Sequence, residues 1–162
     1  MKLIAEKLGK SDKMDRLRYV RADGSKTDAQ MPRQGILPHD LVHYVVESSL
    51  GLREGFTGLV ARGMDVQFNM DGAAKPGGLQ AGTEAMQVEA IVEALQSQLW
   101  SGQFSAEDFF EGVRAACDAH NQPVFIFTDP QAGQRMYDAV LALNAQWVAV
   151  PFHGSLTLEF SV

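Results

Sequence analysis

The sequence contains a single cysteine, Cys117, among its 162 residues. One thiol excludes an intrachain disulfide and any zinc cluster built from several cysteines. Long hydrophobic runs are also missing, since the most apolar later stretch, residues 139–152, is interrupted by Asn144 and Gln146 and is too short to span a bilayer. The first residues lack the apolar segment of a secretory signal peptide. We therefore expect a cytoplasmic protein without a membrane partner.

Three common sequence signatures of ligand-binding or catalytic sites are absent as well. No Gly-x-Ser-x-Gly motif marks a hydrolase serine, and no Gly-x-Gly-x-x-Gly motif marks a dinucleotide site. The glycine-rich stretch at residues 72–78 lacks the Gly-Lys-Ser/Thr order of a phosphate-binding loop. These absences argue against a serine hydrolase of that type, a dinucleotide-dependent enzyme and a nucleotide-hydrolysing enzyme with a phosphate-binding loop.

Charge is distributed unevenly along the chain. The formal net charge is −6, which argues against binding nucleic acid over the whole surface. Residues 1–62 nevertheless hold 11 of the 14 Lys and Arg side chains and only 8 of the 20 acids. A basic N-terminal face that docks an acidic partner, or the acidic remainder of another copy, is therefore one alternative. In that case the protein is a noncatalytic binding or assembly protein, and a homo-oligomer is one form it can take.

The order of predicted elements indicates one α+β domain covering residues 1–162. With 46% hydrophobic residues the chain is large enough to bury one core. We predict terminal strands or hairpins packed against three to four amphipathic helices. The predicted strands are residues 2–8, 16–22, 26–31 and 124–127, with a closing hairpin from 147–152 and 155–162. The predicted helices are residues 38–49, 83–99, 105–120 and 129–143. Residues 55–63 fit either a short helix or a strand. Residues 64–70 fit a half-buried strand or a loop, and residues 71–82 are predicted to be a loop.

Two of the four histidines lie four residues apart on the first predicted helix. Pro38 is suited to a helix start and Gly51 to a helix end. The four-residue separation of His39 and His43 places them on one helical face, where both imidazoles can bind one divalent metal ion such as zinc. The positive end of the helix dipole disfavours protonation of His39.

Further residues complete the predicted site. Glu47 is about 12 Å from His39 along the helix axis, so it is assigned as an acceptor for His43 or as a base next to the ion. The third metal ligand must come from another segment. His153, in the last predicted turn, is the first choice, and His120 is the second.

The His39–His43 segment resembles the His-Glu-x-x-His helix of zinc metalloproteases, with Asp40 in the place of the glutamate. The resemblance covers five residues and implies a proton-transfer role for Asp40. The carboxylate of Asp40 is one methylene shorter, and no downstream ligand series follows. The string Leu37-Pro38-His39-Asp40-Leu41-Val42-His43, together with residues 55–61, is also similar to a small set of bacterial proteins without an assigned activity.

Three interpretations of the histidine pair remain open. In the first, His39, His43 and His153 bind a metal, and Asp40 or Glu47 transfers protons in a hydrolytic enzyme. In the second, the same residues line a metal-free cleft that holds a small-molecule ligand. In the third, both histidines are structural and bond only to the backbone or to a neighbouring acid. The sequence does not decide whether the protein is an enzyme.

Overall fold

The structure is a computed structural model that describes residues 1–66 and 82–161. Within these ranges the chain forms a single α+β domain with a four-stranded antiparallel sheet and five helices. The strands are β1 (Lys2–Glu6), β2 (Met14–Val20), β3 (Lys26–Pro32) and β4 (Ser155–Glu159). The helices are α1 (His39–Leu50), α2 (Phe56–Ala61), α3 (Thr83–Ser101), α4 (Ala106–Ala119) and α5 (Ala132–Ala149). The predicted fold class is confirmed, whereas residues 71–81 of the predicted loop and residues 67–70 of the segment 64–70 lie outside the described residues.

The sheet has the strand order β3-β2-β1-β4. β2 and β3 form the predicted hairpin, whose turn places Gly24 at a φ of 84°, a conformation that glycine adopts without strain. Alternating side chains point to the helices, because successive residues of a strand face opposite sides of the sheet. The buried residues on this inner face include Leu3, Ala5, Leu17, Tyr19, Ala29 and Met31.

Helix α1 lies at the centre of the helical layer and packs against α2, α3 and α5. Pro38 immediately precedes its first residue, and Gly51 ends it in the left-handed conformation, as predicted. Its buried residues include Val42 and Val46, but His43 and Glu47 are buried too. A polar stripe therefore enters the interface between helices. None of the five helices is both long and apolar enough to cross a membrane.

The predicted hairpin at the end of the chain is wrong. Helix α5 continues to Ala149, since the apolar residues Val140, Leu143 and Trp147 keep a helical spacing and all three are buried. Strand β4 instead pairs antiparallel with β1. The first and last strands of the described chain are thus neighbours in the sheet. The amino group of Met1 donates to the carbonyl of Phe160 at 2.8 Å.

The predicted strand at residues 124–127 is also wrong, because this segment joins no sheet. Aromatic packing holds it in place. Phe127 lies 5.9 Å from Phe109 and 5.2 Å from Phe110, measured between ring centroids. Within this apolar stretch Phe127 packs against α4, whereas Val124 and Ile126 are exposed.

Candidate metal centre

Three potential metal ligands converge between α1 and α3. The Nε2 atoms of His39 and His43 are 3.1 Å apart. Glu89 of α3 approaches both rings, with Oε2 at 2.9 Å from Nε2 of His43 and Oε1 at 3.5 Å from Nε2 of His39. One ligand atom from each of these side chains can be chosen so that all lie within 4.8 Å of one another. The cluster combines two imidazoles and one carboxylate.

These separations fit a shared ion. Metal–ligand bonds of about 2.0–2.2 Å at tetrahedral angles place neighbouring ligand atoms about 3.3 Å apart. The three distances between the side chains of His39, His43 and Glu89 are 2.9, 3.1 and 3.5 Å, although the carboxylate contributes a different oxygen to each histidine. Small side-chain shifts are therefore sufficient to bring all three to one ion.

The opposite ring nitrogens of the two histidines differ in their surroundings. Nδ1 of His39 lies 3.1 Å from Oε1 of Gln96, within hydrogen-bond distance. This acceptor favours the tautomer that carries its proton at Nδ1 and leaves Nε2 of His39 free to bind a metal. Nδ1 of His43 is buried 3.6 Å from Oε1 of Glu47 and has no hydrogen-bond partner among the described residues. Both rings are thus oriented with Nε2 toward the cluster and Nδ1 toward the protein.

Glu47 links α1 to α2. Its side chain is fully buried, and its two oxygens accept hydrogen bonds from the backbone N–H groups of Thr57 at 2.8 Å and Gly58 at 2.9 Å. A Cβ on Gly55 would lie 2.6 Å from Cδ of Glu47, and one on Gly58 would collide with the carbonyl of Arg53. Glycine at both positions lets α2 approach the carboxylate. Both oxygens are thus engaged by the backbone of α2, and the two roles predicted for Glu47, acceptor for His43 and base next to the ion, stay predictions.

The cluster is enclosed on one side and open on the other. The side chain of His43 is only 4% exposed, whereas that of His39 is 42% exposed. Burial lowers the pKa of His43, but its interactions with Glu47 and Glu89 outweigh burial and raise the pKa to about 9. Burial raises the pKa of Glu89, and the hydrogen bond and charge of His43 outweigh it, so that this pKa is lowered. Without a metal, the two side chains favour an imidazolium–carboxylate pair.

Asp40 follows His39 at the edge of the same cluster. It is half-buried, and burial raises the pKa of its carboxyl group, against the charges of His43 and His39, which lower it. The hydroxyl group of Tyr19 is buried and has no hydrogen-bond partner among the described residues. Burial raises its pKa most, and the charges of Asp40 and Glu47 raise it further. The acid predicted for proton transfer therefore lies in the electrostatic range of both candidate ligands.

His153 is not brought to the cluster, which corrects its assignment as third ligand. It is an exposed residue of the turn before β4, where its backbone N–H donates to the carbonyl of Lys7 at 2.7 Å. The second choice, His120, is an exposed residue at the end of α4 and is not in the cluster either. His153 was expected in a hairpin that does not form, so its predicted position relative to α1 was wrong.

Glu89 takes the place expected for His153, and Gln96 supports His39. Neither residue was predicted from the sequence, because both lie beside the apolar stripe of α3 on the face that the pattern assigns to solvent. A weak signal was present. Glu89 and Gln96 are seven residues apart, so they lie on one helical face two turns apart. Glu89 is also flanked by Val88 and Ala90, which are both buried.

A small recess opens next to the cluster and has a volume of about 130 Å³. His43 and Glu89 form part of its wall. The rest of the wall consists of Phe56, Leu59, Met64, Ala85 and Met86. The candidate metal ligands thus border a mainly apolar space.

The arginines of the basic first third make contacts within the chain. Arg21 donates to the carbonyls of Val60 at 2.6 Å and Met64 at 2.7 Å. Four others form ion pairs: Arg16 with Glu6, Arg18 with Asp28, Arg33 with Asp15, and Arg62 with Glu54. The charge on this part of the surface is locally balanced at these positions, and docking of an acidic partner stays a prediction.

The chain matches no protein-family model, no curated protein and no solved structure. The case for a function therefore depends on the geometry of the cluster formed by His39, His43 and Glu89.

Proposed function

We propose that the protein binds one divalent transition-metal ion, zinc in the first place, through His39, His43 and Glu89. The convergence of three side chains, with one ligand atom from each within 4.8 Å of the others, carries this proposal. Two imidazoles and a carboxylate are a usual ligand set for zinc, and the same set also suits iron(II). The acceptor at Nδ1 of His39 supports it, because metal-bound histidines normally donate their other N–H to such a group.

We further propose that the bound metal serves hydrolysis. Three protein ligands leave a coordination position for water, and zinc lowers the pKa of bound water to about 7. The exposure of His39 indicates that solvent reaches this side of the cluster. Asp40 is the candidate for proton transfer, since it lies beside the ligands and makes no backbone anchor like that of Glu47. The interpretation as a metal-free cleft shares the same residues and predicts binding without an ion.

Titration of zinc into the metal-stripped protein, purified without a histidine tag, tests the metal site. We expect one saturable site per chain, with manganese, iron(II) and nickel compared under the same conditions. The proposal is contradicted if none of these ions shows saturable binding.

Cleavage of p-nitrophenyl acetate by zinc-loaded and metal-stripped protein then tests hydrolysis, which is contradicted if both forms have equal rates.

Replacing Glu89 by glutamine should weaken zinc binding by more than about 100-fold, which is above the loss of about 10–100-fold for residues that only support a ligand. The change keeps the size of the side chain but removes the charged ligand, which the histidines alone do not replace. Glu93→Gln is the matched control, since Glu93 is an exposed residue of the same helix and loses the same charge. Isothermal titration calorimetry measures both variants. Equal loss in the two would show that the general charge of α3, and not Glu89 as a ligand, determines affinity.

Zinc affinity should increase with pH and level off above about pH 9. Because the pKa of His43 in the metal-free protein is about 9, its Nε2 is protonated at pH 7, and the metal must displace that proton. One displaced proton gives about a tenfold gain per pH unit below this pKa. Calorimetric titrations in buffers of different ionisation enthalpy count the protons released. A constant affinity between pH 6.5 and 8.5 is the contrary result.

A further inference from the structure

The recess next to the candidate metal centre has walls of two kinds. His43 and Glu89 are the polar residues of the wall, and they are two of the three proposed ligands. The remaining wall is apolar and is built from α2, α3 and the segment that follows α2. A molecule in this space therefore lies next to both the proposed metal ligands and apolar side chains.

The size of the recess limits what enters it. A dry apolar cavity of about 150 Å³ is large enough to bind benzene. The recess measures about 130 Å³, so it accommodates a short alkyl chain or a single six-membered ring. Its volume is below the range of about 300–1,000 Å³ that is usual for drug-sized ligands.

The polarity of the wall selects the attached group. Glu89 is an anionic residue of the wall, so the site without metal repels a carboxylate. A bound divalent cation instead attracts an oxygen ligand. Met64 and Met86 add flexible apolar side chains that adapt to different shapes. The combination favours a molecule with an oxygen ligand for the metal next to a small apolar group.

We propose that this recess holds the short hydrophobic group of a ligand whose carbonyl or carboxylate oxygen binds the metal, an inference that rests on the proposed metal site. The ligand class is that of small apolar acyl compounds, such as short-chain or single-ring acids and their esters or amides. Ala85 is the smallest side chain of the wall and lies one helical turn before Glu89.

Two hydroxamates test the inference on protein loaded with cobalt(II), whose visible absorption reports ligands bound to the protein-held metal. Acetohydroxamate and benzohydroxamate present the same metal-binding group but differ in the apolar group. We expect benzohydroxamate to bind at least tenfold more tightly to the wild-type protein. Equal affinities overturn the inference and leave the metal site intact, whereas failure of the protein to bind cobalt or zinc overturns both.

Ala85→Leu should reduce the preference for benzohydroxamate to less than about threefold, because the added side chain fills the recess. Its affinity for acetohydroxamate and for the metal should stay within about twofold of the wild type. Ser97→Leu is the matched control, an added leucine at an exposed position of the same helix, and should keep the full preference.

Met86→Ala enlarges the space and should admit a naphthyl hydroxamate that the wild-type protein rejects. Unchanged selectivity in both Ala85→Leu and Met86→Ala overturns the assignment of the recess.

Discussion

Replacement of Glu47 by alanine should lower the free energy of unfolding by about 3–5 kcal/mol, which is the usual cost of breaking a buried charged interaction. The carboxylate is fully buried and accepts two backbone hydrogen bonds, from Thr57 and Gly58. Its removal leaves both N–H groups buried without a partner, at about 1–3 kcal/mol each, and creates a cavity in the interface of α1 and α2. Thermal unfolding of the metal-stripped protein should show a decrease in Tm of roughly 6–20 °C.

Two further variants define what this loss means. Ser48→Ala changes an exposed neighbour on the same helix and should leave Tm within about 2 °C of the wild type. Glu47→Gln keeps one carbonyl acceptor but turns an amide donor toward the second N–H, so an intermediate loss of about 1–3 kcal/mol is expected. If Glu47→Ala unfolds at the wild-type temperature, the carboxylate does not hold α2 as described.

The fold was largely accessible to sequence patterns because the local signals agree with the global structure. The turn at Gly24 and the end of α1 at Gly51 depend on glycine conformations that the chain itself specifies. Pairing between distant segments is different. Residues 155–159 alternate as a strand should, yet nothing in their own pattern says that they pair with β1 and not with the residues just before them.

The candidate site shows the same division. The spacing of His39 and His43 determines that their rings meet, because both lie on one helix. The identity of the third candidate ligand depends on how α3 packs against α1. The sequence pattern assigns Glu89 to the solvent-exposed face of α3, so it was not predicted. The role of Glu47 was half predicted: its contact with His43 follows from helical spacing, but its hydrogen bonds to α2 follow from tertiary packing.

His39→Ala should weaken zinc binding by more than about 100-fold, which exceeds the 10–100-fold loss typical of residues that only support a ligand. His39 is the better choice for this test because its side chain is 42% exposed, whereas that of His43 is almost fully buried and packs against Phe56 at 5.5 Å between ring centroids. Loss of an exposed imidazole should change Tm of the metal-stripped protein by only about 1–2 °C. Binding and stability are thereby separated in one variant.

His153→Ala is the matched control and also decides between the two possible third ligands. The variant removes the same kind of side chain from an exposed turn outside the cluster, so zinc affinity should remain within about twofold of the wild type. A loss comparable to that of His39→Ala would show that His153 moves to the metal in solution and that Glu89 is not the third ligand. If instead neither histidine variant changes the affinity, zinc binds elsewhere, and the contacts of His39 with Gln96 and of His43 with Glu89 serve to join α1 to α3.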